Sequence, residues 1–252
     1  MRPIKKKRVL LNPLIFSCLL CLPLLSWPAC SKMGEGDSQE NKFTIIFFGD
    51  SITYAGGLPG GYVNLVAEAF KDQNNKIEVI AAGVPGHKVT DLAYRLEGEV
   101  LSHSPDIVVI FIGINDVWHS ARGLGTKPEV FEQVLRDLAT RISDAGARPY
   151  LCTLSVINEK REGANEFDDM LDQYSEMIRL VARTTSTPVI DLREAFVEHL
   201  RVHNPGNLEQ GILTSDGVHL NDAGNRFLAD IILSVLNMEP GILPKQMKTE
   251  HN

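Results

Sequence analysis

From Phe43 onward the chain alternates between two hydrophobic rhythms. Short apolar runs rich in β-branched residues recur at intervals: FTIIFF (43–48), IEVIAA (77–82), IVVIFI (107–112), PYLCTLS (149–155) and PVID (188–191). Between them lie longer segments of helical period. Phe131, Val134, Leu135, Leu138 and Ile142 mark one stripe, and Phe167, Met170, Leu171, Tyr174, Met177, Ile178 and Val181 a second. Phe227, Leu228, Ile231, Ile232, Val235 and Leu236 mark a third. Continuous apolar strands separated by helices predict a parallel sheet covered on both faces. Thr126 and Glu129 have capping-box spacing ahead of the first stripe, and Asn221 is placed to cap the last. There is no internal repeat and no sign of a second folded domain.

The N-terminus follows a different pattern. MRPIKKKR is basic, and VLLNPLIFSCLLCLPLLSWPAC is apolar but interrupted by prolines. Residues 1–30 therefore read as an export signal, with an uncleaved N-terminal anchor as the alternative. The end of the apolar stretch, Ser26-Trp27-Pro28-Ala29-Cys30, resembles a bacterial lipoprotein lipobox, which implies lipidation of Cys30 and attachment to a membrane. Cleavage after Ser31, giving a periplasmic or secreted form, is the competing expectation. Residues 31–42 read as a polar, flexible tether, 43–240 as the folded domain and 241–252 as a C-terminal tail.

Loss of residues 1–29 removes five basic residues (Arg2, Lys5, Lys6, Lys7 and Arg8) and no acid, taking the formal charge from −7 to about −12. So acidic a chain is a poor partner for nucleic acid phosphates. Cys18 and Cys21 fall within the signal, leaving Cys152 as the one thiol in the domain, so no disulfide is expected there. No His, Cys and Asp cluster has metal-ligand spacing, and no glycine-rich phosphate loop precedes a helix. No cofactor is expected.

Ligands of an open parallel sheet bind beyond the carboxyl ends of its strands. The residues that follow each apolar run should therefore gather on one rim. After the first run comes Gly49-Asp50-Ser51; after the second, Gly83-Val84-Pro85-Gly86-His87; after the third, Gly113-Ile114-Asn115-Asp116. Near the end stands Asp216-Gly217-Val218-His219. Acyl transfer requires a nucleophile, a base, a group that orients the base, and donors for an oxyanion. Ser51, His219 and Asp216 are the candidates for the first three. The backbone N–H groups of Ser51 and Gly86 and the amide of Asn115 are the candidate oxyanion donors. Each motif alone is short enough to arise by chance, but their order and their placement after separate strands make chance a poor account.

That order, Gly-Asp-Ser (49–51), Gly86, Gly-Ile-Asn-Asp (113–116) and Asp-Gly-Val-His (216–219), resembles the SGNH, or GDSL-type, hydrolases. The resemblance covers about residues 43–237. It implies a three-layer α/β/α sandwich with a five-stranded parallel sheet, a flavodoxin-like architecture. It also implies ester hydrolysis through an acyl-serine intermediate without a metal. The second block departs from the family pattern: Pro85 precedes Gly86, and His87 and Lys88 follow it.

Other residues carry two readings each. His87 and Lys88 either add positive charge near the site or lie in a solvated turn. Trp118 and His119 either line the substrate pocket or pack a loop. His203 is a rival base with no acid at short spacing. Asp50 and Asp116 are expected to satisfy backbone donors, and the polar stretch 158–166 to be solvated or to touch a sugar. The substrate expected is a small acyl ester, such as an acetyl group on a carbohydrate, with lipid acyl esters or thioesters second. An acyltransferase and a non-catalytic glycan-binding protein on the same fold remain alternatives.

Overall fold

The computed structural model describes residues 42–73, 76–161 and 163–237. The residues expected to form an export signal, Cys30, the expected tether up to residue 41 and the expected C-terminal tail lie outside the described residues. In chain order the elements are β1 (Phe43–Gly49), α1 (Ser51–Gly56), α2 (Tyr62–Gln73), β2 (Ile77–Gly83), α3 (Val89–Glu99), β3 (Ile107–Phe111) and α4 (Ile114–Trp118). Then follow α5 (Pro128–Asp144), β4 (Arg148–Cys152), α6 (Asp168–Thr185), β5 (Val189–Ile190), α7 (Leu192–His203) and α8 (Asp222–Leu236). Short 3-10 segments stand at Leu101–His103 and His119–Arg122.

The strands form one parallel sheet in the order β2-β1-β3-β4-β5. The chain moves outward from β1 to β2 and then crosses back past β1 to β3. That reversal opens a crevice beyond the carboxyl ends of β1 and β3, where doubly wound sheets hold their ligands. The helices pack in two groups, α2 with α8 and α3 with α5 and α6, consistent with right-handed crossovers that cover both faces. The central strands are apolar without alternation because both their faces are covered: Ile45, Ile46, Phe47 and Phe48 are fully buried, as is nearly all of β3.

Three local expectations differ from the structure. The run IEVIAA is an edge strand and is only partly buried, since β2 has a neighbour on one side alone. PVID yields a strand of two residues, because Asp191 turns away to cap α7, accepting from the Glu194 N–H. The capping box at Thr126 and Glu129 does not form. Helix α5 starts at Pro128, whose fixed φ and missing N–H suit a first turn, and Thr126 is buried. Asn221 does cap α8, through the Gly224 N–H. Cys152 is a buried free thiol, pushed up by burial away from reactive thiolate chemistry.

Candidate active site

Ser51 is the first residue of α1, set directly on the end of β1. Two glycines make that junction possible. A Cβ on Gly49 would lie 2.3 Å from the Phe111 carbonyl oxygen, and one on Gly83 would lie 2.1 Å from the Tyr54 nitrogen. Only bare backbone at both positions lets α1 sit this close to the strand ends. Asp50 caps the helix by accepting from the Ile52 N–H at 2.9 Å. As the first residue of the helix, Ser51 has an N–H with no intrahelical acceptor.

Asp216 and His219 come from the tight turn between Thr214 and Leu220, which pair as an antiparallel bridge. Asp216 Oδ1 accepts from the N–H groups of Val218 (3.0 Å) and His219 (2.7 Å), while Oδ2 meets His219 Nδ1 at 2.7 Å. Partial burial pushes the Asp216 carboxyl up, but the hydrogen bonds from His219 and Val218 outweigh it and hold the group below the usual carboxylate range. An ionised Asp216 fixes the proton of the neutral imidazole on Nδ1. The other nitrogen, Nε2, lies 2.9 Å from Ser51 Oγ with its lone pair free to accept the hydroxyl proton.

Asn115 is the second residue of α4, just beyond β3, and is buried. Its Nδ2 donates to the His87 carbonyl at 3.0 Å and stands 3.5 Å from Asp50 Oδ2, a contact at the outer limit of a hydrogen bond. One amide hydrogen is thus firmly engaged and the other only weakly. Gly86 is exposed with φ of +79° and open space where a Cβ would stand; its N–H has no backbone acceptor among the described residues. Ser51 and Asn115 stand in the first turns of α1 and α4 and Gly86 in the turn after β2, each just beyond the carboxyl end of its strand.

The two other acids of these motifs support the loops. Asp116 is fully buried and accepts from the Val89 N–H at 3.1 and 3.2 Å, joining the turn after β3 to the start of α3. Burial raises Asp50 to about 7 and Asp116 to about 6. Lys88 donates to the Leu124 carbonyl at 2.9 Å, so it ties two loops together. His87 is half-buried and supplies the carbonyl that holds Asn115. Trp118, 40% exposed, and half-buried His119 face one another at 6.4 Å just beyond Asn115. His203 lies apart, stacked on His199 with Nδ1 at its carbonyl.

Two supporting residues escape a reading of the sequence alone. Glu159, within the supposedly solvated stretch, is fully buried and accepts from the N–H groups of Ile212 (2.7 Å), Leu213 (2.7 Å) and Thr214 (2.5 Å) and from the Thr214 hydroxyl (2.8 Å). It holds the segment that leads into Asp216. Arg95 lies 5.0 Å over the Phe48 ring and donates to the carbonyls of Gly49 and Ala82, both at 3.2 Å. It braces the ends of β1 and β2 from below the Ser51 turn. Among the described residues no group of three or more His, Cys, Asp or Glu side chains is placed to hold a metal.

Comparison with known proteins gives a consistent picture. Residues 47–227 match the GDSL-like Lipase/Acylhydrolase family. An acetylxylan esterase of Geobacillus stearothermophilus is 29% identical over 229 residues, which cover 82% of this chain and 97% of that protein. Esterase TesA of Pseudomonas aeruginosa is 25% identical over 211 residues, covering 83% and 90% of the two chains. Among solved structures, the acetyl xylan esterase AlAXEase superposes with a TM-score of 0.75 at 43% identity, over 77% of this chain and 100% of that one. By sequence match and by fold, the chain belongs to the GDSL-like lipase/acylhydrolase family, the SGNH hydrolases, and is a hydrolase of ester bonds.

Proposed function

We propose that this protein is an exported serine esterase that removes small acyl groups, acetyl above all, from a carbohydrate. The observation that carries the reading is the 2.9 Å contact between Ser51 Oγ and His219 Nε2, with Asp216 on the opposite ring nitrogen. Ser51 Oγ attacks the ester carbonyl while its proton passes to Nε2. The carbonyl oxygen, now an oxyanion, takes hydrogen bonds from the N–H groups of Ser51 and Gly86 and from the Asn115 amide. As the C–O bond to the sugar breaks, His219 returns the proton to the departing alkoxide, leaving an acetyl-Ser51 ester. Water, deprotonated by the same nitrogen, attacks that ester; as the acyl C–Oγ bond breaks, Nε2 returns the proton to the Ser51 oxygen and acetate is released. Asp216 stabilises the imidazolium at both steps without taking its proton.

The carbohydrate substrate draws support from two acetylxylan esterase relatives. Export, and anchoring through a lipidated Cys30, rest on the pattern of residues 1–30 alone. The decisive experiment compares the protein with its Ser51→Ala variant on 4-nitrophenyl esters of rising chain length and on acetylated xylo-oligosaccharides. The expected result is acetyl preference, acetate release from the oligosaccharide, loss of both in the variant, and Ser51 labelling by a fluorophosphonate. Undiminished turnover in Ser51→Ala overturns the mechanism, and a preference for long acyl chains overturns the substrate.

A further inference from the structure

A groove lies between the end of α4 and the start of α6. It encloses about 250 Å³ and is lined by Trp118, His119, Ala121, Arg122, Glu166 and Phe167. Trp118 and His119 stand three and four residues beyond Asn115 on a continuous helical path. At that spacing they share a face with Asn115, with Cβ atoms roughly 5–6 Å apart. The groove is therefore about one helical turn from the Asn115 amide, the proposed oxyanion donor.

Its chemistry is distinctive. Trp118, the last residue of α4, remains 40% exposed although the rest of that helix is buried, and Phe167 adds a second aromatic surface. Around them stand one cation, Arg122, and one anion, Glu166. Neither side chain has a hydrogen bond or ion pair among the described residues. An open aromatic plate edged by uncommitted donors and acceptors, with balanced charge, is not a phosphate or carboxylate site. A pyranose or pentose ring fits it: the C–H face rests on the indole, and the hydroxyls at its edge meet Arg122, Glu166 and His119. The volume falls below the roughly 300–1,000 Å³ of pockets for drug-sized molecules and suits one or two sugar units.

We infer that the Trp118–Phe167 groove is a subsite for an unsubstituted sugar of a neutral polysaccharide, adjacent to the acylated sugar at Ser51. The inference rests on the carbohydrate esterase reading. It assigns to Trp118 the recognition of backbone, as distinct from acyl group, and predicts that the enzyme engages its polymer beyond the sugar it deacylates.

Binding can be tested without the chemistry. The chain has two tryptophans, Trp27 and Trp118, so the Trp118→Phe variant supplies the blank for intrinsic fluorescence. Titrating the full chain with unsubstituted xylo-oligosaccharides should give a saturable change in emission that the blank lacks. Calorimetry should show the affinity of Trp118→Ala reduced about tenfold or more, with Trp118→Phe between the two. The ratio of kcat/KM on acetylated xylo-oligosaccharide to that on 4-nitrophenyl acetate should fall in the same order. No emission change with the oligosaccharides, or a change given by lysophospholipid instead, overturns the subsite. Either result stands whether or not Ser51→Ala abolishes ester cleavage, so failure of the subsite and failure of the esterase reading are separable.

Discussion

Glu159 and Thr214, 55 residues apart, meet through a buried carboxylate oxygen that accepts both the N–H and the hydroxyl of Thr214. The same side chain takes the N–H groups of Ile212 and Leu213. Glu159→Ala leaves these donors without an acceptor, each worth about 1–3 kcal/mol when buried. The expected loss in stability exceeds about 3 kcal/mol by urea denaturation, with kcat falling as the Asp216–His219 turn loosens. Glu159→Gln keeps one acceptor oxygen and should fall between. Stabilities of both variants within about 1 kcal/mol of the parent would show that the clamp is dispensable.

Asn115→Ala removes the proposed oxyanion donor. If the amide acts on the transition state, kcat falls about 10²–10³-fold, or roughly 2.7–4 kcal/mol, with KM little changed. Steady-state kinetics on an acetyl ester measures the split. A rise in KM at constant kcat would assign Asn115 to substrate binding instead.

The glycines of the Ser51 junction make a paired prediction. A Cβ at Gly83 would meet the backbone of Tyr54, Thr53 and Asp50 at 2.1–2.7 Å, whereas one at Gly98 in α3 meets nothing within 4 Å. Gly83→Ala should cost about 1–3 kcal/mol of stability and displace Ser51, lowering kcat if Ser51 is the nucleophile. Gly98→Ala should stabilise by about 0.5–1 kcal/mol and leave kcat untouched. Equal behaviour of the two variants in thermal melts and assays contradicts the close-approach argument.

The buried acids set a pH dependence. Burial lifts Asp50 from 3.8 to about 7, and Asp116 from 3.8 to about 6. Between those values the folded protein keeps protons that the unfolded chain has released, so stability falls as pH rises from about 4 to 7. For Asp50 the full cost is roughly 4 kcal/mol. Asp191 and Asp216 are held below 3.8, so their contribution is lost in the opposite direction, as pH drops below about 4. Asp50→Asn retains an oxygen for the Ile52 N–H but cannot ionise. Its Tm should therefore gain on the parent from pH 4.5 to 8, and parallel Tm curves would contradict this account.

The residues around Ser51 are legible in the sequence because each sits in a short local motif: Gly86 and Asn115, like Ser51, just beyond a strand end, and Asp216 and His219 three residues apart in one turn. The topology of the sheet then brings those ends to one crevice. Glu159 was hidden for the opposite reason. Its partners are backbone N–H groups, which leave no side-chain signature, and its polar neighbours resemble a solvated loop. Arg95 was hidden because its acceptors are strand carbonyls. The capping box at Thr126 misled because Pro128, two residues later, gave the helix a better start. The edge position of IEVIAA depends on strand order, which no single segment encodes.

The turn from Thr214 to Leu220 holds both Asp216 and His219; the Glu159 carboxylate and the Asn158 N–H, which donates to the Gly217 carbonyl, anchor it, and the contact to Ser51, spanning 168 residues, joins it to the start of α1. Acid and base arrive as one prefabricated piece. Under the proposed assignment the enzyme is a two-part device, with nucleophile and oxyanion donors just beyond β1, β2 and β3 and the proton relay in the segment after α7. Ester cleavage then becomes a gauge of assembly: it switches on when the C-terminal segment docks. A break in the chain near His203 would separate the two parts, and recovered turnover on mixing them would report their association as directly as any binding assay.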